Sequence, residues 1–118
     1  MLSVSDLDQF YGESHTLWDV SLDLPKGECL CLLGRNGVGK TTLLKSIMGL
    51  VKIRRGTVIA DGARLDQRPA ALRAKAAIGY VPQGRDIFPQ LTVEENLRLG
   101  LLGRREDATD QTQRIFEL

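Results

Sequence analysis

The sequence predicts an α/β fold, and three consecutive stretches carry that prediction. Glu28-Cys29-Leu30-Cys31-Leu32-Leu33 is a short apolar run, long enough for a buried strand and too short for a helix. Gly34-Arg35-Asn36-Gly37-Val38-Gly39-Lys40-Thr41-Thr42 follows it and fits the pattern G-x-x-x-x-G-K-[ST]. After the loop, Leu43, Leu44, Ile47 and Met48 recur at helical spacing. Strand, glycine loop and helix in that order form the context in which the motif binds phosphate.

The residue types in the loop suit a polyphosphate. A helix N-terminus offers unpaired backbone N–H groups and the positive end of a dipole. Gly34, Gly37 and Gly39 allow the backbone to curl into a concavity of N–H groups that also takes in Asn36 and Val38. Lys40 is placed to reach the β- and γ-phosphates, the Thr41 hydroxyl to ligate Mg²⁺, and Thr42 continues the helix start. Nucleotide binding is the expected activity.

Composition narrows the alternatives. A chain of 118 residues is one domain by length. A formal charge of +1 gives no electrostatic case for nucleic acid. Lys52, Arg54 and Arg55 form a basic cluster just past the loop helix and are expected to favour its negative end. No run approaches the ~18 apolar residues of a membrane span, and Met1 leads into a polar segment, so a cytosolic protein is expected. Cys29 and Cys31, two residues apart on one strand, are expected to be buried thiols rather than a redox or metal pair. His15 is the sole histidine, falls in a polar turn, and leaves zinc without a ligand set.

The remaining elements follow in order. Leu2 and Val4 begin a strand that runs to Phe10-Tyr11-Gly12. Trp18, Val20, Leu22 and Leu24 alternate with Asp19, Ser21 and Asp23, predicting a second strand with one buried face. Pro25-Lys26-Gly27 turns the chain toward the loop strand, and the loop helix is expected to end between Gly49 and Val51. Gly56 to Ala60 reads as a strand closed by the Asp61-Gly62 hairpin signal. Pro69 starts an alanine-rich helix, and Ala77 to Val81 reads as a strand halted by Pro82. Thr92-Val93-Glu94-Glu95 is a capping box opening a helix over 94–102, and a last helix is expected over about 107–118. After Thr42 there is no apolar strand ending in an acidic residue: Asp61 belongs to the hairpin signal and Asp86 to a loop. These 118 residues are therefore expected to bind nucleotide without hydrolysing it.

Beyond these readings the sequence resembles a family. Residues Gly34 to Thr42 resemble the Walker A loop of ABC transporter ATPases, as does the lead-in Tyr11-Gly12, Leu17-Trp18-Asp19-Val20-Ser21-Leu22 and Gly27-Glu28. Tyr80-Val81-Pro82-Gln83 is similar to that family's strand into the Q-loop, and Leu91-Thr92-Val93-Glu94-Glu95-Asn96-Leu97 to the start of its helical subdomain. Gly84-Arg85-Asp86-Ile87-Phe88-Pro89 is similar to subunits serving branched-chain amino acid and urea importers. Ser14 to Val20 and Glu28 to Leu32 most resemble the urea-type subunit.

The resemblance implies a RecA-like P-loop NTPase core of parallel strands, an N-terminal antiparallel β-subdomain and the start of a helical subdomain. It divides the chain into about 1–91 and about 92–118 of one ATP-binding domain. It implies ATP and Mg²⁺ as ligands, with Tyr11 stacking on adenine, the alternative being sheet packing beside Phe10. Gln83 would contact Mg²⁺ or the attacking water, and the alternative is a turn residue after Pro82. Residues Asp86 to Leu91 would help receive a permease helix, or else pack the helical subdomain. The implied partners are membrane permease subunits and a second ATP-binding subunit, with the protein peripheral on the inner face of the cell membrane. The family's signature motif, Walker B acids and switch histidine have no counterpart within these residues.

The loop yields the first prediction. Lys40→Ala weakens ATP by about 1.5–3 kcal/mol and adenosine by far less, because the lost charge faces the terminal phosphates. Calorimetric titration of the full-length protein with both ligands measures the difference, and equal losses would contradict the assignment.

Overall fold

The computed structural model describes residues 1–35, 37, 39–76, 78–84 and 87–99. The chain divides into two compact units, Met1–Tyr80 and Val81–Leu118. The first is built around a four-stranded antiparallel sheet with strand order β2-β1-β3-β4. Its strands are β1 (Leu2–Tyr11), β2 (Ser14–Leu24), β3 (Arg55–Ala60) and β4 (Ala63–Arg64), and its helices α1 (Lys40–Met48) and α2 (Ala70–Lys75). The described part of the second unit holds helix α3 (Val93–Leu99).

Side chains of β1 that a bulge at Asp6 brings to one face explain the core. Val4 and Leu7 point inward with Val58 and Ala60 of β3, and Leu43 and Ile47 of α1 close over them together with Leu17 and Leu65. The β1–β2 pairing is interrupted by bulges. Two residues of β1 separate the pairs Leu7↔Val20 and Gln9↔Leu17, but three of β2, so β2 carries one extra residue there. Asp19 takes it up at φ 46°, and its N–H donates to Asp8 Oδ1 at 2.6 Å. A reciprocal bulge on β1 places Asp6 at φ 51°, its N–H donating to Ser21 Oγ at 2.9 Å. The extra residue shifts the phase of β2. Val20, Leu22 and Leu24 lie inward as their alternation predicts, but Leu17 takes the buried place that the pattern gives to Trp18, which is 69% exposed.

His15 is also placed differently from its expected polar turn. It lies in β2 opposite Phe10, on the face away from α1, and its ring stacks between Phe10 (3.9 Å between centroids) and Trp18 (3.5 Å). The Arg54 guanidinium lies 3.8 Å over the Phe10 ring. Beside the stack Arg55 bridges Asp8 (3.0 Å) and Asp19 (3.2 Å). The Asp19 N–H bond and the charges of Arg55 and His15 hold the Asp8 carboxyl below the usual carboxylate range.

These two arginines therefore do not serve the negative end of α1. That end closes on Gly49 at φ 76°, whose N–H donates to Ser46 O at 3.2 Å while Leu50 N–H donates to Lys45 O at 2.9 Å. Arg73 of α2, buried at 5% exposure, also reaches carbonyls at this end. Its Nη1 donates to Ser46 O (2.8 Å) and Ile47 O (2.9 Å), its Nε to Arg68 O (2.8 Å) and its Nη2 to Asp66 O (3.1 Å). Burial pushes the guanidinium pKa down while the Asp66 charge pulls it up.

The predicted Asp61-Gly62 hairpin joins β3 to β4, with positive φ at both residues. Pro69 precedes α2 as predicted. The capping box of α3 is formed: Glu95 N–H donates to Thr92 Oγ1 and Thr92 N–H to Glu95 Oε1, both at 3.1 Å. The predicted helix over 107–118 and the end of the one over 94–102 lie outside the described residues.

Two predicted strands are absent. Residues 28–33 form no ladder, Leu33 is 91% exposed, and both cysteines are exposed rather than buried. An unbroken apolar run of this kind belongs to a parallel strand with neighbours on both sides and helices on both faces. The described residues offer no parallel partner, so the pattern has nothing to pair with. Residues 78–81 are likewise not a strand.

Asp66 contributes to the acid sensitivity of this unit. Its carboxylate accepts from Arg64 (Nη2 to Oδ2, 2.7 Å; Nε to Oδ1, 3.2 Å) and from Val58 N–H (3.1 Å). The Arg64 hydrogen bond above all lowers its pKa, assisted by that of Val58 and opposed by burial. A carboxyl with a depressed folded-state pKa contributes stability that is present above the unfolded value and lost as pH falls through the folded one. Circular dichroism melts are expected to decline as pH falls below the ordinary aspartate range of about 4. Asp66→Asn, which still accepts from Val58, lowers the melting temperature at neutral pH and flattens that acid limb.

Candidate functional site

The site is built at the N-terminus of α1. Lys40 is the first residue of the helix, and its Nζ donates to the Gly34 carbonyl, folding the side chain back across the loop. Gly39 precedes it at φ 101°, ψ 4°, and Leu43 N–H donates to Gly39 O at 2.8 Å as the first helical bond. No side chain caps this end, and no acidic residue occupies the first turn. A helix start usually gains from an acidic residue or a Ser, Thr, Asp or Asn cap. With neither present among the described residues, the first N–H groups and the dipole of α1 are suited to an external anion.

Gly39 is required sterically as well as conformationally. A Cβ on it would lie 2.8 Å from Leu17 Cδ2 and 3.6 Å from Thr16 O. The helix start is thus seated directly on β2, and the bulge that turns Leu17 inward supplies the seat. Leu17 is a positioning residue that the period-2 pattern of β2 hides.

Tyr11 ends β1, and its ring is half-exposed (49%) with the hydroxyl 3.4 Å from Thr42 Oγ1. Neighbouring Phe10 goes to the opposite face of the sheet, where it stacks on His15. The two aromatics are therefore not a packed pair, and Tyr11 keeps an open ring beside the loop helix. Thr41 is exposed in the first turn, while Thr42 is half-buried and its carbonyl accepts from Ser46 Oγ at 2.7 Å. Gly34 and Gly37 lie in the exposed loop, and Asn36 and Val38 lie outside the described residues.

In the second unit Gln83 is exposed, and Asp86 lies outside the described residues. The chain after it is shaped by Asn96, whose Oδ1 accepts from Phe88 N–H (2.9 Å) and whose Nδ2 donates to Phe88 O (3.1 Å) and Thr92 O (2.9 Å). Ile87 and Phe88 remain exposed. Among the described residues no group of three histidine, cysteine or acidic side chains could hold a metal ion. No described helix is long and apolar enough to cross a membrane.

A family model described as ABC transporter matches residues 17–118. The chain is 37% identical to the high-affinity branched-chain amino acid transport ATP-binding protein BraG of Pseudomonas aeruginosa, across all of this chain and 51% of that one. It is 42% identical to the probable branched-chain amino acid transport ATP-binding protein LivF of Archaeoglobus fulgidus, across 84% of this chain and 42% of that one. The chain thus spans about half the length of the curated relatives it matches. Its fold superposes, with a TM-score of 0.80 and 28% identity, on the ATP-binding cassette MJ0796 solved as a dimer in a post-hydrolysis state with ADP and Pi. That match covers 99% of this chain and 55% of the other.

Two strains at Gly39 can be separated. Gly39→Ala is expected to cost about 1–3 kcal/mol through its backbone angle alone, and to add the clash with Leu17. Replacing Leu17 by Ala in the same chain removes the clash and leaves the angle. Chemical denaturation of the single and double variants tests this: the double variant should recover none of the angular cost, and ATP affinity should stay reduced in both.

Proposed function

The chain belongs to the ABC transporter family, and from that premise we propose that it is the ATP-binding portion of an importer subunit. ATP binding and hydrolysis in the full-length subunit drive uptake of a small polar solute, urea or a branched-chain amino acid. The observation that carries the reading is the start of α1: uncapped, free of acidic residues, with Lys40 lying across the loop at Gly34. Such a terminus selects for phosphate, and the open ring of Tyr11 beside Thr42 supplies a face for adenine.

Magnesium fits as an ion carried by the nucleotide. The exposed Thr41 hydroxyl is one hard oxygen donor at the helix start, and Mg²⁺ takes few protein ligands, completing its shell with phosphate oxygens and water. The metal would draw charge from the terminal phosphates. Lys40 would hold the β- and γ-oxygens, Thr41 would help hold the ion, and the N–H groups around Gly37 and Gly39 would fix the polyphosphate. The partners are membrane permease subunits and a second ATP-binding subunit, on the inner face of the membrane. The likeness to BraG and LivF supports a branched-chain amino acid as solute, and the wording around Ser14 to Val20 supports urea.

A second reading, a nucleotide-binding module without turnover, is favoured by one feature of residues 1–118. Among the described residues no strand ends in an acid positioned for metal or water: Asp61 turns the β3–β4 hairpin. We therefore propose that these residues alone bind Mg·ATP without hydrolysing it. Phosphate release is to be compared between the 118-residue chain, the full-length subunit and its Lys40→Ala form. Turnover is expected from the unaltered full-length subunit only. Lys40-dependent turnover by the 118 residues would reassign catalysis to an acid within them. Competition of labelled leucine uptake by urea, in vesicles carrying the whole transporter, separates the two solutes.

A further inference from the structure

We infer that Arg73, on α2 and outside the loop, is a positioning residue for phosphate binding that acts through the opposite end of α1. The inference rests on the phosphate-binding reading above. Arg73 holds the C-terminus of the very helix whose N-terminus forms the site: its Nη1 meets Ser46 O and Ile47 O, two of the last three carbonyls of α1. Through Nε and Nη2 it also grips Arg68 O and Asp66 O, in the turn leading from β4 to α2. One planar group thus fixes the end of α1 to two other points of the chain. Gly49 leaves room for it, since a Cβ there would come within 2.8 Å of Arg73 Cζ and Nε.

Two consequences reach the loop. The first is geometric. α1 spans nine residues, roughly 13 Å, and is held at one end by Leu17 against Gly39 and at the other by Arg73. A slide along its axis would break the guanidinium bonds, so Arg73 fixes where Lys40, Thr41 and Thr42 stand relative to Tyr11. The second is electrostatic. Every Arg73 bond described goes to a neutral carbonyl, and the nearest acid, Asp66, spends its carboxylate on Arg64 and Val58 N–H. A buried cation therefore offsets the negative pole of α1 and leaves the positive pole at Lys40 less opposed. With roughly 13 Å between the ends, its effect on a bound anion is expected to be about twofold per ligand charge at low salt.

The test uses the full-length subunit with Arg73→Lys, which keeps the charge but cannot span four carbonyls, and Arg73→Gln, which removes the charge. Adenosine, ADP and ATP are titrated in EDTA at low and high salt, after circular dichroism confirms folding. Adenosine affinity should stay within about twofold in both variants. For ATP at low salt the expected losses are about fiftyfold in Arg73→Gln, which loses charge and fork together, and about threefold in Arg73→Lys. The Gln loss should grow from ADP to ATP and shrink with salt, whereas the Lys loss should do neither. Equal losses for adenosine and ATP, or an unchanged ATP affinity in Arg73→Lys, would overturn the inference. If Arg73→Gln does not fold, the adenosine-against-ATP split in Arg73→Lys decides alone. A wild-type subunit that does not prefer ATP to adenosine refutes the phosphate reading itself and takes this inference with it. A wild type with that preference beside a Lys variant that matches it refutes only the role of Arg73.

Discussion

The arrangement of the first unit depends on the four carbonyl oxygens gathered around the Arg73 guanidinium. Sheet and helix otherwise meet mainly through an apolar interface, which is non-directional and resists sliding poorly, with the Tyr11 hydroxyl near Thr42 Oγ1 as a polar contact. Leu43 and Ile47 bury α1 against Val4, Leu7 and Val58 without specifying how far along the sheet the helix sits. Hydrogen bonds from a buried fork do specify it. They also satisfy the C-terminal carbonyls, which would be costly to leave unpaired in the interior. A lysine would offer the same charge without the fork.

The sheet contributes a second constraint, through its bulges. Each of Asp6 and Asp19 stands at positive φ, and in each the displaced N–H is taken by a side chain of the opposite strand, Ser21 or Asp8. A bulge so supported is a stable feature rather than a slip in register. Its effect is to separate two faces that a regular strand would have mixed. Leu17 turns inward beneath Gly39, whereas His15 and Trp18 go outward to build the stack capped by Arg54. The helix start thus gains an apolar seat, and the outer face receives the aromatic rings and the Asp8–Arg55–Asp19 ion network.

How much of this was legible in the sequence follows from the range of each interaction. Local chemistry was readable: the Asp61-Gly62 hairpin, Pro69 before α2 and the Thr92–Glu95 capping box stand where their residue types place them. The loop helix was readable too, because its apolar period and the glycines on either side agree. Period-2 alternation failed at Trp18, since the residue inserted at Asp19 reverses the faces there and a second shift between Leu17 and His15 reverses them again. The run 28–33 was misread for another reason: its apolar character describes an environment of neighbouring strands, not a property of the segment. Arg73 was invisible, because an arginine in an alanine-rich helix shows no local sign of the carbonyls it will meet 26 and 27 residues away. The nearer basic cluster, Lys52 to Arg55, offered a plausible answer by proximity along the chain, and the structure sends Arg54 and Arg55 to the other face.

Helix α1 then shows stability and function pulling on one element. By the ordinary rules its first turn should carry an acidic residue and a hydroxyl or carboxamide cap, and it has neither. Either would lower the energy of the free helix by occupying the N–H groups and the positive pole, and either would then compete with an incoming phosphate. The C-terminal half follows the rules fully, with Gly49 in the left-handed conformation, its N–H bonded back, and a buried cation on the last carbonyls. Stabilisation withheld at the binding end is supplied at the other. The start of α1 thus carries no side-chain cap while the far end of the same helix is held, an arrangement suited to receiving an anion at its N–H groups.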